Sequence, residues 1–395
     1  MSPNAGIIAA AAHDPWDVIV VGAGPAGTVA ARQLALEGVS VLLVEKARLP
    51  RDKVCGGCLG GAALDLLEAI GLGDLPLRCG GVHLMTMRLA SGGSTATFPV
   101  GRRIALSRRT FDDALVRAAV DAGVTVCDDA AAHLEPATSA ESRSISLQHR
   151  GTTVTVQARA VVVATGLAAP PVGCAARTSP RSRIGLGAVV ECCPHDFPVG
   201  TLQMACGAAG YVGITVVEGD RLDIAAAVDP AALAASKSSG QLLANLLKEA
   251  GLPPIEAKET THWRGTPPLT RRTTPLAAHR CVLIGDAASY VEPFTGEGIG
   301  WAMQSAVLAS SLLSNALDHW DAETERRWAQ LYAQHISRNQ RCCFVLSRML
   351  RSATVRKLAV RTLQWAPRLG KPVIRRLDEP ATPFFMNARM IAHGR

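Results

Sequence analysis

Two cysteines with two glycines between them stand in the stretch RDKVCGGCLGG, Arg51 to Gly61. Cys55 and Cys58 at this spacing suit a redox dithiol or half of a zinc site, and the surrounding sequence has to decide between these readings and neither. The chain has eleven cysteines, at 55, 58, 79, 127, 174, 192, 193, 206, 281, 342 and 343. None of the others forms a second Cys-x-x-Cys and no His pair stands nearby, so no metal ligands are assigned. An odd number in a chain of 395 residues also argues against a disulfide framework.

A second pattern lies upstream. Gly22-Ala23-Gly24-Pro25-Ala26-Gly27 follows an apolar strand-like run, Val18 to Val21, and opens a stretch with helical apolar spacing. Gly22 permits the tight turn, Gly24 lets the backbone approach a pyrophosphate, and Gly27 lets the helix pack on the strand. The first-turn amides then face negative charge. Glu45, followed by Lys46, comes about twenty residues on, at the end of a second strand from Val39 or Ser40 to Val44, where a carboxylate accepts hydrogen bonds from an adenosine ribose. This β-α-β unit reads as a dinucleotide site, with a ligand-free tight turn as the plain alternative. NAD and FAD both stay open on this motif.

CVLIGDAASYVEPFTGEGIGWAM places Gly285-Asp286 after a strand, then Pro293, Gly296, Gly298, Ile299 and Gly300 ahead of a helix. Strand-Gly-Asp-Ala followed by Pro-x-x-Gly-x-Gly resembles the second FAD fingerprint of flavoproteins similar to p-hydroxybenzoate hydroxylase. The resemblance implies FAD as cofactor, Asp286 on its ribityl chain, and the glycine turn and helix start at its flavin N1/O2 edge. A helix dipole there would stabilise the anionic reduced flavin. SRRTFDDAL is similar to the Arg-x-x-Phe-Asp-x-x-Leu element of the same superfamily, which implies Arg108 near the FAD pyrophosphate; a surface salt bridge is the bland alternative. VVVATG, ending in Gly166, matches the short strand that such flavoproteins pack against the cofactor.

Within this superfamily RDKVCGGCLGG most resembles the geranylgeranyl reductase branch, whose loop reads Lys-x-Cys-Gly-Gly-Gly; here Cys58 replaces the third glycine. The resemblance puts Lys53, Cys55, Gly56 and Gly57 along the isoalloxazine, with glycines for clearance, and accounts for the spacing without a metal. Cys58 stays open between packing, a thiol over the ring and a partner for Cys55. The aromatic hydroxylases' Asp-Gly-Arg element is replaced by Ala164-Thr165-Gly166 and LAAPPVGC, which puts direct nicotinamide docking in doubt. The halogenase Trp-x-Trp motif is absent. Of the reductases' Tyr-x-Trp-x-x-Pro strand, Tyr211 is kept and the Trp position is Gly213, which implies a wider pocket. Tyr211 is either a substrate hydrogen-bond donor or a half-buried strand aromatic.

The elements that must position these residues follow from periodicity. Helices fit Gly61 to Ile70, Thr110 to Ala122 and Gly298 to Leu317; a hairpin fits VHLMTMRLASGGSTATFPV, turning at Gly92-Gly93. VTVQARAVVVATG offers two strands, and Ile184 to Asp229 alternates like an antiparallel sheet. The expected fold is α/β: a Rossmann-like, GR2-type FAD-binding domain (residues 1–80, 108–180 and 269–330) interleaved with an antiparallel β-sheet substrate domain (81–107 and 181–268), and a basic helical C-terminal segment (331–395).

Hydrophobic content of 48% with 19% charge is globular, and no apolar run reaches the roughly 20 residues of a membrane span. The stretch GIIAAAA lacks a basic n-region, so cytoplasmic residence is the default, with peripheral membrane contact left open. Arg326 to Leu377 holds thirteen Lys or Arg and no Asp or Glu, so against a total of +8 the rest of the chain carries −5. Basicity this local argues against a nucleic-acid-binding protein. Up to Arg376 the segment mixes these cations with Leu, Val, Phe and Trp, which suits an anionic membrane surface or an acidic acyl-carrier protein, or else a cap on the FAD domain with a solvated cationic face.

These readings converge on an FAD-dependent oxidoreductase acting on a hydrophobic small molecule such as a phenolic, a polyketide or a lipid, in secondary metabolism. NAD(P)H or another reductant donates the electrons. Monooxygenation is preferred as the superfamily's commonest reaction, with double-bond reduction as the alternative; halogenation and a non-catalytic flavin-binding carrier-docking role are minor readings. Side chains for catalysis are not assigned beyond Cys55, Cys58 and Tyr211.

Overall fold

The computed structural model describes residues 15–191, 196–255, 261–292, 294, 296–370 and 372. Two eight-stranded sheets and a small three-stranded one organise the chain. The first sheet has a parallel core in the order Cys281–Leu283, Thr152–Val163, Trp16–Val21, Val41–Val44, Thr125–Cys127. Its strands are continuous apolar runs because both faces are covered: Val18, Ile19, Val20, Leu42, Leu43, Val161 and Val162 are fully buried. Helix Pro25–Leu36 packs against helices Arg108–Asp121 and Gly298–Ala316. Ser107 caps Arg108–Asp121 by accepting from the Thr110 amide.

Two expectations change here. VTVQARAVVV is one strand, Thr152–Val163, because its first part pairs antiparallel with Arg143–His149 while its end continues parallel to Trp16–Val21. The second sheet is not wholly antiparallel. Its order is Arg264–Pro268, Ile184–Glu191, Arg221–Val228, Gly210–Val217, Thr201–Cys206, Val82–Ser91, Ser94–Ala105, Cys58–Leu59, and Thr201–Cys206 runs parallel to Val82–Ser91. That parallel pair is the seam where two excursions distant in sequence join.

The second sheet has two unlike faces. One is covered by helix Ser239–Ala250, whose Leu242, Leu243, Leu246 and Leu247 bury against Val212, Ile214, Val216, Leu222 and Ile224. The other looks toward the Arg51–Gly61 loop, and that loop itself enters the sheet: Cys58 and Leu59 pair with Ala105 and Ile104. The C-terminal helices Ala322–Tyr332, Arg338–Met349 and Ala353–Trp365 wrap the junction. Trp328 is fully buried and donates from Nε1 to the Leu283 carbonyl, while Gln340 donates to the Ser289 carbonyl.

Candidate active site

Backbone proximity explains the first glycine motif. A Cβ on Gly22 would lie 2.4 Å from the Ala164 carbonyl oxygen, and Gly22 has φ of +107°; a Cβ on Gly27 would lie 1.9 Å from the Gly22 oxygen. These two positions hold strand, turn and helix together. Gly24 differs: its Cβ would meet only the guanidinium Nη2 atoms of Arg108 at 3.7 Å and Arg51 at 3.9 Å. The turn is thus open toward two arginines, a fit for a diphosphate.

Both arginines are locked. Arg108 donates to Asp112 through Nε at 2.7 Å and Nη2 at 2.8 Å, and Arg51 donates to Asp112 at 2.7 Å and to Glu45 at 3.1 Å. Glu45, 4% exposed, also accepts from the Ala23 amide at 3.0 Å and the Ala47 amide at 3.1 Å. Burial alone pushes its pKa up, but the Arg51 charge and the two amides outweigh that and hold it below the usual range. Lys46 and Lys53 are exposed beside this network. Arg51 and Asp112 were not assigned from the sequence, although both sit inside quoted motifs.

The second fingerprint meets the first through its backbone. Gly285, at φ of +56°, would bring a Cβ to 2.9 Å from the Ala26 methyl, and its amide donates to Ser305. Pro25 and Ala26 are buried in the first turn of their helix. Asp286, partly exposed, has no hydrogen-bond partner among the described residues; burial pushes its pKa up to about 6 against the pull of Arg108, Lys53 and Arg271. Arg271 donates to the carbonyls of Gly166 and Ala168 and leaves a buried Nε without a partner. Gly298 and Ile299 open their helix, and Gly300 rests on Ala63. Pro293 lies outside the described residues. Glu297 pairs with the buried Arg103 at 3.7 Å, tying the helix start to the second sheet.

The open carboxylate at Asp286, the orphan Arg271 Nε and the clear approach over Gly24 fit FAD. With FAD bound there, Gly22 to Gly27, Glu45 and Arg108 would hold the dinucleotide end and Asp286 the ribityl chain, and FAD would supply two-electron chemistry.

The two cysteines of the loop pack against different apolar clusters. Cys58, 5% exposed, packs in an apolar cluster with its Cβ 3.2 Å from the Cβ position of Gly296; burial pushes its pKa up to about 12. Burial raises Cys55 as well, against a partial counter-pull from Arg108. Both are thiols at neutral pH. Gly57, at φ of +59°, would bring a Cβ to 2.7 Å from Asp223 Oδ2, and Gly56 would meet Ala225 at 3.8 Å. Beside the loop a groove of about 420 Å³ is walled by Lys53, Cys55, Gly187, Val189, Asp223 and Arg264, among others.

Tyr211 lies 7% exposed, edge-on to Phe294 at 4.9 Å with Arg183 over its ring at 5.8 Å. The room expected at Gly213 is filled, because Met204 Sδ stands 3.1 Å from its Cβ position. Among the described residues no group of His, Cys, Asp or Glu gathers as a metal centre.

A sequence profile described as an FAD binding domain matches residues 15–190. The chain is 26% identical over 82% of its length to digeranylgeranylglycerophospholipid reductase 1 of Methanococcoides burtonii, covering 82% of that protein. It is 28% identical to menaquinone reductase of Mycobacterium tuberculosis, over 82% of this chain and 81% of that one. In fold it is similar to the flavin-dependent brominase Bmp2, with a TM-score of 0.77 and 18% identity over 96% of this chain and 99% of that one. Residues 15–190 match an FAD-binding domain, and the chain is an FAD-dependent oxidoreductase similar in sequence to reductases of the geranylgeranyl reductase type.

Proposed function

We propose that this oxidoreductase reduces a carbon–carbon double bond in a lipophilic molecule. The observation that carries the reading is the likeness over four-fifths of the chain to two reductases, one of a prenyl lipid and one of a menaquinone by name. The site agrees in character. Reduction of a double bond takes up a hydride and a proton, and the groups bordering the loop hold protons more tightly than usual: burial raises the Cys55 and Cys58 thiols and pushes the Asp223 carboxyl well above its usual range. The protein's part is to bind and orient the substrate, exclude water and hold these protons.

Hydroxylation, preferred from the motifs alone, is the second reading, favoured by the superfamily fold. Aerobic and anaerobic incubation with prenyl lipids, quinones, phenols and polyketides separates them by product mass. Reduction adds two hydrogens without oxygen, with NAD(P)H, ferredoxin or dithionite as donor. A product that gains an oxygen atom, and only in air, overturns the reductase reading.

We further infer that the C-terminal helices rest on an anionic lipid surface, which would give access to such a substrate. Five of the eleven large apolar side chains exposed among the described residues fall between 345 and 369: Val345, Met349, Leu358, Trp365 and Leu369. They stand among the exposed cations Arg341, Arg348, Lys357, Arg361 and Arg368. No described helix is long and apolar enough to cross a membrane.

A further inference from the structure

A buried arginine on the second sheet faces a buried carboxylate at the start of a helix. Arg103, 2% exposed, lies on strand Ser94–Ala105 two residues before Ala105, the direct partner of Cys58, and so points to the same face as that pair. Glu297, 6% exposed, is the residue ahead of helix Gly298–Ala316, and its carbonyl accepts from the Trp301 amide. Its side chain makes no capping hydrogen bond to the helix and turns instead to Arg103, with Oε1 3.7 Å from Nη2. Two charges taken out of water in this way add little stability, because apolar residues of similar volume fill such a place about as well. The pair therefore calls for a reason in the site.

Its position supplies one. Gly296, the residue before Glu297, would bring a Cβ to 3.2 Å from the Cys58 Cβ, so the helix start and the cysteine loop touch. Burial pushes the Cys58 thiol up to about 12, Arg103 pulls it back and Glu297 adds to the rise, so both charges are felt at the loop. FAD with its dinucleotide end at Gly24 and its ribityl chain at Asp286 would carry its ring on toward this junction. Two electrons and one proton turn oxidised flavin into its anionic reduced form, so the ring gains a negative charge. A carboxylate nearby opposes that gain and a guanidinium favours it. Glu297 stands at the positive end of a helix of 19 residues, where its charge offsets part of the helix's own pull on an anion.

We propose that Glu297 and Arg103 set the reduction potential of the bound flavin as an opposed pair: the carboxylate makes the reduced ring a stronger electron donor, and the guanidinium limits that push. Each acts on the cofactor through its charge, without touching the substrate. The inference rests on FAD binding at the site described above and holds whether the substrate is reduced or hydroxylated.

The test measures the midpoint potential of the FAD-loaded protein by dithionite reduction against a reference dye, at a pH of about 8.5, which favours ionised carboxylates. Glu297→Gln, close in shape to wild type, moves the potential upward, and Arg103→Met moves it downward. Each changes the relative affinity for reduced over oxidised flavin about tenfold, which is about 30 mV for a two-electron couple. Arg103→Lys keeps the charge and stays near wild type, and Glu297→Gln combined with Arg103→Met returns most of the way. If Arg103→Met does not fold, Glu297→Gln and Arg103→Lys carry the test. Glu297→Gln protein that holds FAD at an unchanged potential overturns the pair and leaves the oxidoreductase reading standing, as do single variants that both shift the potential in one direction. A wild-type chain that takes up no FAD overturns the pair together with the oxidoreductase reading.

Discussion

Arg51 donates to Asp112 across 2.7 Å, and through this bond the loop that carries the two cysteines is fastened to the helix that carries Arg108. Arg51 also bonds Glu45, so one guanidinium spans the strand, the loop and the helix around the Gly22–Gly27 turn. Removing one partner of a buried ion network leaves the other charges uncompensated. Arg51→Met should therefore cost about 3 kcal/mol in urea unfolding and weaken FAD binding at least tenfold. Arg117→Ala, which breaks an exposed pair with Asp113, is the control and should stay within about 0.5 kcal/mol.

Gly24 and Gly27 predict opposite failures. Gly24 has φ of −84°, an ordinary extended conformation, and its Cβ direction is clear except for the two arginine tips. Gly24→Ala should fold with an unchanged circular dichroism spectrum and lose FAD affinity, measured by flavin fluorescence quenching, because the methyl takes up the approach to the backbone. Gly27→Ala meets a carbonyl at 1.9 Å and should lose the fold itself.

Asp286 gives a pH signature. Burial raises its pKa to about 6, so the folded apoprotein holds this proton more tightly than the unfolded chain, whose carboxyl titrates near 4. The stability Asp286 leaves intact below pH 4 is therefore lost as pH rises through 6. Apo Asp286→Asn should melt with wild type near pH 4 and above it at pH 7.5. The same variant should bind FAD more weakly at pH 7.5, since an amide replaces the carboxylate that would accept from the ribityl hydroxyls. Equal melting curves at both pH values would remove the argument.

What was legible in the sequence was local. The first strand, turn and helix, the Gly92-Gly93 hairpin and the Gly298 helix announce themselves by apolar periodicity and glycine placement over short windows. Helix Ser239–Ala250 was passed over although Ser238, the Leu242/Leu243/Leu246/Leu247 spacing and a left-handed Gly251 signal it. The parallel seam between Thr201–Cys206 and Val82–Ser91 has no local signal, because it joins segments more than a hundred residues apart. Asp223 was invisible for a related reason. In RLDIAAAV it reads as an ordinary strand polar residue, and only its burial beneath Gly57, with no hydrogen bond among the described residues, sets it apart. Gly213 shows the converse, since a small residue in sequence need not mean space when Met204 fills it.

The C-terminal helices make the last prediction. Along Ala353–Trp365, Leu358 and Trp365 are two turns apart with Arg361 between them, and Trp365 is 91% exposed. An aromatic side chain flanked by cations has little reason to face water, and it suits the boundary between headgroups and acyl chains. Each cation near an anionic leaflet contributes about 1 kcal/mol, so Arg361→Gln with Arg368→Gln should lower sedimentation with phosphatidylglycerol vesicles by roughly tenfold or more. Leu358→Ser with Trp365→Ser should weaken it further in a way that salt does not mimic. Vesicles of phosphatidylcholine alone should bind little. If the full chain ignores anionic vesicles while a variant ending at residue 372 binds them, the remaining residues cover this face and the surface is an internal one. If an acidic acyl-carrier protein binds instead, and the Trp365 variant does not disturb it, the cations alone define the contact and the lipid reading fails.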